Sequence, residues 1–77
     1  MCSAPIKQAW FDADRAVFRF RSEPLPGESY RVFLAARMAT LKARDLAEKA
    51  CHEAGIPGFA NWTPPPADAY DLSYLDA

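Results

Sequence analysis

Ser29-Tyr30-Arg31-Val32-Phe33-Leu34-Ala35-Ala36 can be read two ways, and the choice between them decides the fold. As a strand, Tyr30, Val32 and Leu34 point to one side and Arg31, Phe33 and Ala35 to the other, the period-two pattern of a half-buried sheet. As a helix, Ser29 caps a single run that reaches Ala54, and Ala, Leu, Arg, Met, Lys and Glu, the strongest helix formers, dominate from Leu34 onward. Hydrophobic phase favours the strand. At 100° per residue Tyr30, Phe33, Leu34, Met38 and Leu41 fall on a different side from Leu46, Ala47, Ala50 and Ala54, so no single apolar stripe serves the whole run. The reading adopted is a strand to about Ala36 and a helix from about Ala39 or Thr40.

Downstream, Thr40 is placed as N-cap of a helix with Ala43, Leu46, Ala47, Ala50 and Ala54 on its inner face. Arg44 with Glu48 and Asp45 with Lys49 are opposite charges four apart, assigned to its exposed side. Gly55 supplies a left-handed closing residue and Pro57 prevents resumption.

Upstream, Ala16-Val17-Phe18-Arg19-Phe20-Arg21 alternates apolar and basic, which predicts a second strand with Phe18 and Phe20 inward and Arg19, Arg21 and Val17 outward. Lys7-Gln8-Ala9-Trp10-Phe11-Asp12 pairs with it through the turn-forming stretch Asp12-Ala13-Asp14-Arg15. Glu23-Pro24-Leu25-Pro26-Gly27-Glu28 is a loop, since two prolines and a glycine suit neither ladder nor helix. The expected fold is thus α+β: a small antiparallel sheet of two or three strands on one helix, ββ(β)α. Residues 1–62 form this domain. Residues 63–77 form a Pro-rich spacer and an acidic, aromatic tail.

At 77 residues there is room for one core, and a 51% apolar and 25% charged composition is that of a folding domain. No apolar run approaches the roughly 20 residues that span a bilayer, and the N-terminus lacks the layout of a signal peptide, so a cytoplasmic location is expected. The formal net charge is −1. Residues 1–44 carry eight basic side chains against four acidic ones, and residues 45–77 carry one against six, which suggests a basic face and an acidic tail.

Catalytic chemistry finds little to work with. The lone histidine, His52, adjoins Cys51, but neighbours on a helix point about 100° apart and do not form a dyad. Cys2 and Cys51 are read as free thiols. One His and two distant Cys make no zinc site, and Gly27, Gly55 and Gly58 make no phosphate cradle. No catalytic residue, metal or cofactor is expected.

Partner binding is the remaining reading. Arg19, Arg21 and Arg31 with Phe33 would form a cationic, aromatic sheet face, and Trp62, Tyr70 and Tyr74 are residue types that anchor interfaces. Another protein is the expected partner. Nucleic acid is the alternative, because arginine beside an aromatic combines phosphate contact with base stacking, although an isoelectric point near 5.7 is far from that of a dedicated binder. In format, a lone ββ(β)α domain of this length without a catalytic constellation resembles the small host-modulating proteins of bacteriophages, anti-CRISPR proteins among them. That resemblance rests on size and layout, and it implies a protein that works by occupying a surface.

Overall fold

A computed structural model describes residues 4–76 and shows two α-helices, α1 (Ala4–Phe18) and α2 (Tyr30–Glu53), followed by a single 3-10 turn at Ser73–Asp76. Among the described residues there is no strand, so the α+β sheet-on-helix expectation gives way to a helical hairpin. The sheet layout shared with phage host-modulating proteins is absent with it.

The segment expected to form the first hairpin is α1. Ile6, Trp10, Ala13, Asp14 and Val17 are its half-buried positions, of which Ile6, Trp10, Ala13 and Val17 are spaced four, three and four along one face as a helix requires. Pro5 sits in the first turn, where its missing N–H costs nothing. Asp12, placed in a turn by sequence, accepts a hydrogen bond from Gln8 Nε2 one helical turn back at 3.0 Å. The alternation over Val17 to Arg21 straddles the end of α1 and the loop beyond. Its inward and outward sides are accordingly reversed at the helix end: Val17 is half-buried and Phe18 is 86% exposed.

α2 is one helix of 24 residues. Ser29 is its N-cap, with Oγ accepting the Val32 N–H at 3.1 Å. Thr40, expected to cap a later helix, lies mid-helix, and its hydroxyl donates to the Ala36 carbonyl at 3.0 Å. At the C-terminus, Gly55 (φ 71°) donates to His52 O and Ile56 donates to Cys51 O, the two bonds of a Schellman closure.

The helices run antiparallel, and three contacts set the register. Cys51 Sγ approaches the Ile6 carbonyl at 3.7 Å, Trp10 bonds Glu48, and Arg44 bonds Asp14. α2 outruns α1, so its first turns are covered by the loop instead. There Phe20 packs on Phe33 with ring centroids 5.7 Å apart. Arg21 forms a two-pronged ion pair with Glu28, its second prong at 3.0 Å, and its guanidinium lies 5.4 Å from both ring centroids. Leu25-Pro26-Gly27-Glu28 closes the loop as a turn, with Gly27 at φ 83° and the Glu28 N–H on Leu25 O.

Beyond Gly55 the chain doubles back along the flank of α2. Among the described residues few are buried, Phe33, Ile56 and, completely, Cys51, and the molecule measures 47 × 25 × 14 Å. A layer this thin leaves most side chains on a surface.

Candidate functional site

A flank of α1 beside its contact with α2 carries aromatics. Phe11 and Phe18 are seven residues apart, hence on one side of the helix, and they are 44% and 86% exposed. Lys7 Nζ lies 5.8 Å from the Phe11 ring centroid. Arg15 and Arg19 are exposed beside Phe18, and neither forms an ion pair among the described residues. Phe11, Asp14, Arg15, Phe18 and Arg19 line a shallow hollow of about 370 Å³. Phe11 also borders a second hollow of about 530 Å³, whose wall includes Trp10, Phe59 and Trp62. Trp10 holds that wall together, with Phe11 at 5.1 Å and Phe59 edge-on at 5.2 Å between centroids.

A separate cleft of about 370 Å³ opens between α2 and the returning chain, lined by Leu46, Trp62, Pro64, Pro65 and Tyr70 with Lys42 and Lys49 on the helix side. Leu46 is 58% exposed here, not on an inner face against a sheet as expected. Ala43, Ala50 and Ala54 are exposed as well, and of the five expected inner residues Ala47 alone is half-buried. Of the four charges assigned to the exposed side Lys49 is exposed, while Arg44 and Glu48 both turn to α1. Asp45 borders the cleft, and burial, reinforced by the neighbouring Glu48 carboxylate, raises its carboxyl above the ordinary range.

The residues singled out from sequence are distributed over three places. Arg21 and Phe33 meet in the loop clamp, where Phe33 is 4% exposed and offers nothing to a partner. Arg19 stands at the end of α1 beside Phe18. Trp62 and Tyr70 come together in the cleft, Trp62 with its ring 5.5 Å from that of His52. Arg31 is exposed on α2 and engaged in a contact of its own, and Tyr74 is 64% exposed near the C-terminus. The arginine face as drawn on a sheet does not form, because its members lie on two helices and a loop.

Cys51 and His52 diverge. Cys51 is fully buried, and burial raises its thiol above the ordinary range. His52 is exposed, with Nδ1 2.8 Å from the Phe59 carbonyl. Cys2 lies outside the described residues. Among them no cluster of three His, Cys, Asp or Glu is arranged to hold a metal ion, and no helix is long and apolar enough to cross a membrane.

Phe18 and Leu46 are exposed apolar residues that sequence reasoning assigned inward, and Phe11 is one to which it gave no side. Their signal was available for the two phenylalanines: a seven-residue spacing on a helix already carrying Ile6, Trp10, Ala13 and Val17 on another face. No protein-family profile, no curated protein and no solved structure matches the chain.

Proposed function

We propose that this chain is a small non-catalytic module that acts by binding another protein. The observation that carries the reading is the pair Phe11 and Phe18 on one side of α1, Phe18 being 86% exposed. Burying an exposed phenylalanine yields about 1.5–3 kcal/mol, and a chain with so small a core gains by turning such residues inward unless a partner covers them. Aromatics ringed by cations are the composition of an interface centre with a polar rim. The non-catalytic part is supported by Cys51 and His52, whose side chains diverge to engage two different backbone carbonyls, of Ile6 and of Phe59.

Nucleic acid is the less supported reading. The free cations on this face are few, Lys7, Arg15 and Arg19, with the exposed Asp12 beside them, and the overall charge is −1, so the surface lacks the strongly basic balance of a phosphate binder.

A photoactivatable phenylalanine analogue at position 18 tests this in the source cell. Crosslinking to one protein, identified by mass spectrometry and lost when Arg15 and Arg19 are both changed to Glu, is the expected result. Crosslinks to nucleic acid, or none above background, would remove the proposal.

A further inference from the structure

We infer that the exposed face of α1 receives an acidic amphipathic helix, a partner segment whose apolar residues recur at helical spacing between Asp and Glu. The inference deepens the proposed function and rests on it.

Three observations point to this occupant. The first is shape. The exposed face runs from Lys7 past Phe11, Asp14 and Arg15 to Phe18 and Arg19, a stretch that at 1.5 Å per residue is about 18 Å long. Lys7, Phe11 and Phe18, spaced four and seven, share one side of α1, with Asp14 at its edge toward α2, a row along which a second helix can lie. About three turns of partner helix match that length. The two hollows on either side of Phe11 are where its side chains would enter.

The second is charge. Lys7, Arg15 and Arg19 flank the two rings; of the nearby carboxylates Asp14 is held by Arg44 at 3.3 Å, and exposed Asp12, which accepts from Gln8, is outnumbered three to one. The free charge offered to a partner is therefore positive. Carboxylates beside its apolar stripe would be attracted, and lysines in their place repelled.

The third is backbone. A peptide that binds by adding a strand needs an exposed sheet edge, and the described residues contain no strand. Helix against helix is the mode this surface supports.

The experiment uses the full chain, isotope-labelled for NMR, and two synthetic helical peptides of about three heptads. Both carry Leu at the seam positions. One has Glu at the flanking positions and the other Lys. The Glu peptide is expected to shift resonances of Lys7, Phe11, Arg15, Phe18 and Arg19 and to bind at least about tenfold more tightly than the Lys peptide, with the preference shrinking as salt is added. Arg15→Glu with Arg19→Glu should reverse the preference, and Phe18→Ser should abolish binding of either peptide. Because all three side chains are exposed, circular dichroism should show both variants folded.

Equal affinity for the two peptides overturns the inference, as does a preference for Lys or a set of shifts centred on Leu46 and the Trp62 cleft. So does binding of a single-stranded oligonucleotide to this face with the Glu peptide inert. A protein crosslinked at position 18 while the Glu peptide fails to bind would sink the helix proposal alone. Protein binding by this face would then still stand.

Discussion

The indole N–H of Trp10 on α1 donates to the Glu48 carboxylate on α2 at 3.2 Å, across 38 residues of chain. Three ring contacts converge on the same neighbourhood, Trp10 with Phe11, Trp10 with Phe59, and His52 with Trp62. One side chain therefore ties the two helices and the returning segment together. With three buried residues among those described, such a shared contact matters more than in a large core.

Replacing Trp10 separates its two contributions. Trp10→Phe keeps most of the ring packing and removes the donor, so it should cost about 1 kcal/mol. Trp10→Ala also opens the wall beside Phe59 and should cost about 3 kcal/mol, a large part of the stability of a chain this size. Urea unfolding followed by far-ultraviolet circular dichroism measures both. Equal losses in the two variants would mean that the rings contribute nothing beyond the hydrogen bond.

The loop clamp makes stability sensitive to acid. Glu28 accepts from Arg21 and from the Leu25 N–H, and these bonds, Arg21 first, hold its carboxyl below the ordinary range. A carboxyl lowered on folding adds stability above its unfolded value, about 4.3, and loses it as pH falls through the lower folded value. Asp45 has the opposite sign, since burial raises it and protonation relieves the strain of an ionised group there. Thermal unfolding of Glu28→Gln should therefore show a flatter fall with acid than the wild type, and Asp45→Asn a steeper one. Parallel curves for Glu28→Gln and wild type would exclude the clamp as the source.

Cys51 should be chemically silent in the folded protein. Its thiol is fully buried against the Ile6 carbonyl, and desolvation, then the nearby Glu48 carboxylate, raises its ionisation above the ordinary thiol range. The thiolate is the reactive form. In a Cys2→Ser background, alkylation of Cys51 at neutral pH should be slower than in urea by orders of magnitude, following the opening of the hairpin. Alkylation at the same rate in both conditions would contradict the burial. The linked stability runs with the same sign: a raised thiol favours folding at neutral pH and loses that advantage as the pH climbs past the ordinary thiol value.

The C-terminal end of α2 was legible in sequence, where Gly55 reads as the left-handed closing residue and performs that role. The N-terminal end was misplaced: the cap is Ser29, the residue of the single-helix reading set aside, and not Thr40. The middle was not legible, because its inward stripe is disguised. Phe33, Leu34 and Leu41 begin it, but Arg44, Ala47, Glu48 and Cys51 continue it, so the second half of the buried face is polar or small. Leu46, the largest apolar residue there, points outward and misleads any estimate of phase. For α1 the helical spacing of Ile6, Trp10, Ala13 and Val17 competed with a shorter alternation over residues 16–21. The longer pattern prevails because four inward positions meet a partner helix. Of the exposed face of α1, Arg19 was identified and Phe18 was assigned inward, an error that follows directly from treating the segment as a strand.

Whether α2 is one helix can be decided with a single proline. Ala39 is exposed midway along α2, so its replacement disturbs no buried contact. In a continuous helix, Ala39→Pro removes an intrahelical hydrogen bond and drives its ring into the carbonyl one turn back, at a cost of about 3 kcal/mol or more. Were residues 30–36 a strand joined near there to a later helix, proline would fall at the junction or first turn and be tolerated. The structure requires the larger loss. It also requires the damage to reach the loop, because Phe33 and the Arg21–Glu28 clamp depend on the first turns of α2 lying in line with the rest. A variant with unchanged helical content and an unchanged unfolding midpoint would argue for the broken reading, and with it against the exposed face of α1 as described.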